Sequence, residues 1–289
     1  MNEERPIVFR CEGAALVGML HVPASAPKLG VVIVVGGPQY RIGSHRQFIL
    51  LARALAERGI AALRFDCRGM GDSDGEFPGF EHLDPDIAAA VAALRQRLPS
   101  VERVGLWGLC DAATAIAFYA HRDADITGVV LLNPWVRSEA GAARAYLKHY
   151  YLRRLVDPEF LRKVARGQFR PKEALRSLLQ QVARARRRRP AGPTAATAAT
   201  AAPLAERMAE GLRCYAGGVL LIISGRDLTA KEFADAAGAS KAWRRLLRGD
   251  RLVRRELAEA DHTFSRAAWR DQIAEWTGDW FRRSAGSWL

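Results

Sequence analysis

The chain has 289 residues, enough for one large α/β domain with an insertion or for two small domains, and its 49% hydrophobic content with seven tryptophans supports a substantial core. Its four cysteines, Cys11, Cys67, Cys110 and Cys214, are widely separated and form no CxxC pair, which argues against a disulfide framework or a zinc site. The net charge of +13 is uneven: 16 basic and 4 acidic residues fall between positions 135 and 205, so +12 of it belongs to that segment and the flanks are near neutral.

The N-terminal MNEERPIVFR is acidic and then basic with no apolar stretch after it, so no signal peptide is expected. No apolar run approaches 18 residues, and a soluble cytoplasmic protein is the expectation. Residues 14 to 22 read as an early antiparallel strand closed by Pro23. Leu29 to Val35 is a continuous apolar run suited to a sheet covered on both faces. It ends in Gly36-Gly37-Pro38-Gln39-Tyr40, a bend permissive enough for backbone N–H groups to face a ligand. His45 to Arg58 follows as a helix with Phe48, Leu51 and Leu55 on one stripe and Gly59 as its stop.

Ile60 to Asp66 is the next strand, and the glycines after it match neither GxxxxGK nor GxGxxG, so they predict a tight loop and no nucleotide cofactor. Asp84 reads as the cap of a helix with Pro85 at its first position. Glu102 to Trp107 is a strand, Asp111 to His121 a helix, and Thr127 to Leu132 another strand. Strand, loop and helix recur at about 30-residue spacing, which predicts a doubly wound, mostly parallel sheet with ligands beyond the strands' carboxyl ends.

Residues 135 to 205 break that rhythm with three helical stretches, the basic run from Arg184 to Arg189 and an Ala/Thr-rich tail. This segment is expected to be a helical cap inserted between core segments 1–134 and 206–289. Gly217 to Ile223 resumes the sheet, Lys231 to Arg248 is helical and Leu252 to Leu257 is a final strand. The closing helix carries Trp269, Ile273, Trp276 and Trp280 on a stripe expected to dock on the sheet.

Between the strand at Val104 and the helix at Ala112 stands Gly108-Leu109-Cys110-Asp111-Ala112, with small residues two before and two after Cys110. That spacing suits a sharp strand-to-helix turn which pushes one side chain out of the sheet. The Asp111 amide, at the start of the helix, would face a negative charge. Asp227 and His262 each follow a predicted strand in turn, giving nucleophile, acid and histidine in chain order. His262 would take the proton from Cys110, and Asp227 would fix the imidazole tautomer. Asp111 and Gln39 are the expected donors of the oxyanion hole, Gln39 because Pro38 has no N–H; the Tyr40 and Gly37 amides stay open as alternatives. The other histidines lack partners at metal-ligand spacing, and no metal is implied.

The strand and GGPQYRIGSHRQF, then RFDCRGMGDSDG, GLWGLCDAA, SGRD and ADHTFS, resemble the α/β-hydrolase superfamily, and more closely the first type of exosortase A system-associated hydrolase. The resemblance covers about 14 to 134 and 215 to 283, and implies an α/β-hydrolase fold with Cys110, Asp227 and His262 as its triad. Superfamily members usually have serine at the elbow and His-Gly before the oxyanion residue, where this chain has Cys110 and Gly36-Gly37. A thiol there predicts a thioesterase or esterase working through a covalent acyl-cysteine on a thioester or activated ester, in a setting linked to exopolysaccharide or exosortase loci. An acyltransferase with the same triad and a noncatalytic partner of a biosynthetic assembly are the alternatives.

The expected partner is a small-molecule or carrier-bound acyl substrate. The basic segment, a single run without interleaved aromatics, reads first as a solvated face; if it has a role, an anionic substrate or a peripheral membrane contact fits better than nucleic acid.

Overall fold

The computed structural model describes residues 2–37, 39–136 and 202–284. The expected helical cap, with its arginine run, falls almost wholly outside the described residues. Eight strands form one sheet in the order β1-β2-β4-β3-β5-β6-β7-β8. They are β1 (Glu3–Cys11), β2 (Ala14–Val22), β3 (Leu29–Val34), β4 (Ala61–Phe65), β5 (Arg103–Leu109), β6 (Ile126–Leu132), β7 (Gly218–Ser224) and β8 (Leu252–Leu257). β1 and β2 pair antiparallel, β2 meets β4 antiparallel, and the remaining pairs are parallel. This is the expected mostly parallel, doubly wound α/β-hydrolase sheet.

β3, β4 and β7 are buried at every position, as parallel strands covered on both faces must be. Helices α1 (Gln47–Glu57) and α7 (Ala267–Ser284) lie on one face, where Phe48 meets Trp107 edge-on at 5.6 Å between ring centroids. α7 approaches so closely that a Cβ at Gly105 would stand 2.2 Å from the Phe281 ring. Ile273, Trp280 and Phe281 are buried, and each contributes on the order of 1.5–3 kcal/mol to that docking. The opposite face carries α2 (Asp84–Arg97) and α3 (Asp111–Tyr119); a Cβ at Gly30 would strike Leu94 of α2, and one at Gly108 would strike Ile116 of α3.

Several local expectations change. β1 was not foreseen, because its outward Glu3, Arg5 and Arg10 leave little apolar alternation to read. Asp84 does not cap α2: it is the first helical residue, and its carboxylate pairs with Arg122. The helix expected from Lys231 to Arg248 is two, α5 (Leu228–Ala239) and α6 (Lys241–Leu246), divided at Ser240, whose side chain accepts the Trp243 N–H at 3.2 Å. α4 (Leu204–Cys214) was also missed; Arg207 lies over the Phe118 ring of α3, and a Cβ at Gly211 would meet the Ala117 carbonyl at 2.1 Å.

Candidate active site

The site forms where β5, β7 and β8 end. Cys110 follows β5 directly, with φ 63° and ψ −123°, a conformation that costs a non-glycine residue roughly 1–3 kcal/mol. The surroundings enforce it: the Cys110 N–H donates to the Leu132 carbonyl at 2.9 Å, and the Cys110 carbonyl accepts from Trp135 N at 3.2 Å. Gly108 leaves room for the turn, since a Cβ there would lie 2.9 Å from the Ala112 backbone. The side chain of Cys110 is half-buried.

Asp227 is the N-cap of α5. Its carboxylate accepts the N–H groups of Thr229 at 3.1 Å and Ala230 at 3.0 Å, so the helix start anchors it. The same carboxylate stands 2.7 Å from Nδ1 of His262. Cys110 acts on the same ring as a hydrogen-bonding neighbour. Burial works against protonation of His262, but the hydrogen bonds and charges of Asp227 and Cys110 outweigh it and raise the imidazole to about 10. The structure thus brings Cys110, His262 and Asp227 into one chain of contacts.

The amide-lined turn after β3 packs directly on the elbow. Asp111 accepts the Gly37 N–H at 2.7 Å and the Ala112 N–H at 3.0 Å, joining the turn to the start of α3. Burial raises the Asp111 carboxyl above its usual range, although the Gly37 and Ala112 amides oppose the shift. A Cβ at Gly36 would stand 2.1 Å from Asp111 Oδ1 and 2.6 Å from the Ala112 nitrogen, so only glycine fits there. The Gly37 amide is therefore committed to Asp111. Gln39 N–H turns back to the Gly37 carbonyl at 2.7 Å, so it reaches an oxyanion only if that turn opens. Asp111 stands at the first position of α3, where an amide has no acceptor within the helix.

Beyond the turn, buried Asp66 accepts Arg41 N at 2.6 Å and Asp72 N at 3.1 Å and pairs with the Arg41 guanidinium. Arg41 also bonds Asp72 at 2.8 Å and stacks over Tyr40 at 4.4 Å. Residues 40 and 41 are thereby tied to the loop after β4. Sequence reasoning missed this network, because its partners lie some 25 and 31 residues apart. Among the described residues no group of three or more His, Cys, Asp or Glu side chains converges on metal-binding spacing. Among them, too, no helix is long and apolar enough to cross a membrane.

A family model described as serine aminopeptidase, S33, matches residues 26–237, more than half of the chain. No curated protein matches the chain. Among solved structures, an esterase from Pyrococcus furiosus is 15% identical with a TM-score of 0.65, the match covering 98% of this chain and 93% of that one. Est1E from Butyrivibrio proteoclasticus, with ferulic acid bound, is 16% identical at a TM-score of 0.60, covering 96% of this chain and 99% of that one. A dienelactone hydrolase from Anabaena variabilis is 14% identical at 0.59, covering 98% of each. At these identities the likeness is one of fold.

These matches correct the expected mechanism. The family is described by a serine enzyme, so the acyl-cysteine intermediate loses its basis, and ester or thioester hydrolysis does not depend on it. Membership supports a hydrolase or esterase whose family uses serine as nucleophile, whereas the strand-to-helix turn of this chain carries Cys110. The physical reason is that the elbow, the amide-lined turn and the His–Asp pair have the same form whether oxygen or sulfur stands at the tip. They locate the attacking position without favouring thiol chemistry. The exosortase-linked assignment is corrected too, since the family model and the relatives named above are hydrolases and esterases in general.

Proposed function

Because the chain belongs to the α/β-hydrolase family described as serine aminopeptidase, S33, we propose that it hydrolyses a small-molecule ester at the site formed by Cys110, Asp227 and His262. The observation that carries this reading is His262 Nδ1 standing 2.7 Å from the Asp227 carboxylate, with Cys110 acting on the same ring. The substrate carbonyl would lie over the elbow, at the position from which this family attacks. His262 would manage the proton that leaves the attacking group and later protonate the departing alcohol, with Asp227 holding the ring and balancing its charge. The negative oxygen would meet the Asp111 amide at the start of α3, with the Gln39 amide as second donor once its turn opens.

All four cysteines are free, which suits a cytoplasmic setting. The basic insert would favour an acidic substrate.

The test is a series of p-nitrophenyl esters of increasing acyl length, assayed with the parent, His262→Ala and Cys110→Ala. Turnover in the parent and its loss in both variants is expected. Hydrolysis unchanged in His262→Ala overturns the reading.

A further inference from the structure

Asn133 follows β6, and nothing in its sequence context, an Asn-Pro step closing a strand, marks it for the site. Its backbone is left-handed, with φ 41°, and its side chain is fully buried. Every polar atom of that side chain is used. Nδ2 donates to Ser224 Oγ at 2.8 Å and to the His262 carbonyl at 3.1 Å, while Oδ1 accepts the Ser224 N–H at 2.9 Å. Its own N–H donates to Ile222 O at 3.1 Å. The residue before it, Leu132, receives the Cys110 N–H, and Trp135, two residues later, donates to the Cys110 carbonyl.

One short segment is therefore bonded to the elbow, to the end of β7 three residues before Asp227, and to the backbone of His262. We infer that Asn133 is a positioning residue that holds the His262 loop in register with Cys110 and Asp227. A left-handed turn alone would accept glycine, which adopts positive φ without cost. It would not require an amide aimed at two other segments. The loop it holds has strain of its own, since Phe264, two residues after His262, has φ 51°. Without the brace, the His262 carbonyl loses its buried donor, and the ring is free to drift from Asp227 and Cys110.

This inference rests on the proposed hydrolase reading, so its decisive readout is one that needs no substrate. The groups that set the His262 charge are Asp227 at the start of α5 and Cys110 and Asp111 at the elbow; the carboxylate of neighbouring Asp261 is turned to Ser265. Asn133→Gly keeps the left-handed backbone and removes the amide. Asn133→Ala also removes the amide and adds no charge beside His262. The His262 imidazole is followed by NMR across a pH titration in the full-length protein, beside thermal melting and the kinetics of p-nitrophenyl ester hydrolysis.

The titration midpoint is expected to fall by about one pH unit or more in either variant that folds. kcat is expected to drop about 10- to 100-fold with KM within about twofold, as for a displaced catalytic group. A parent midpoint in a folded Asn133 variant overturns the inference, whatever happens to its melting temperature. A shifted midpoint in a protein that hydrolyses no ester upholds the positioning role and sinks the hydrolase reading instead.

Discussion

Nδ1 of His262 stands 2.7 Å from a carboxylate of Asp227 that two helix-start amides already hold in place. Asp227→Asn removes the charge facing the ring, so the His262 midpoint is expected to move from about 10 toward 6.5. A histidine whose native pKa is raised binds its proton more tightly folded than unfolded. The stability from this pair is thus complete below about pH 6.5 and disappears as pH climbs through about 10. Urea unfolding of parent and variant across that range should show a stability gap at pH 6 that closes by pH 10.5; a gap that widens with pH contradicts the assignment.

Cys110 stands at the tip of the strand-to-helix turn in the proposed site. Cys110→Ser places an oxygen at the same strained elbow, beside the same histidine and amides. It is expected to give ester turnover at or above the parent's, as a family that attacks through serine requires, and above that of Cys110→Ala. Steady-state kinetics on p-nitrophenyl acetate compare the three. Equal loss in the serine and alanine variants would show that the chain has left its family's chemistry.

Gly36 and Asp111 meet too closely for any side chain between them. A methyl at Gly36 would overlap Asp111 Oδ1 at 2.1 Å, so Gly36→Ala should force the turn off the elbow and cost about 1–3 kcal/mol. Asp111→Ala opens the same joint from the other side by freeing the Gly37 amide. Its melting temperature should fall less than that of Gly36→Ala, while kcat drops about tenfold or more. Calorimetry together with kcat, measured on both variants, separates the two effects.

Arg41 neutralises the buried Asp66 carboxylate and fastens the segment leaving the amide-lined turn. Arg41→Met leaves that charge buried without its cation, and should destabilise the protein by about 3–5 kcal/mol in urea unfolding. Arg41→Met combined with Asp66→Asn should recover a large part of the loss. A double variant no more stable than the single one would show that the backbone hydrogen bonds of Asp66, rather than its charge, carry the anchor.

Much that a few neighbouring residues enforce was legible in the sequence. Buried parallel strands such as Leu29–Val34 read as unbroken apolar runs, and the elbow was legible because Gly108, Cys110 and Ala112 meet their steric demands within five residues. Asp227 and His262 stood out because each lies shortly after a strand. Only the tertiary structure decided how these pieces are held together. The Gly37 amide goes to a carboxylate 74 residues away, and Asn133 reaches partners 91 and 129 residues away. Such bonds leave no period or spacing in the sequence, because a polar side chain's partner is chosen by where the sheet delivers other strand ends.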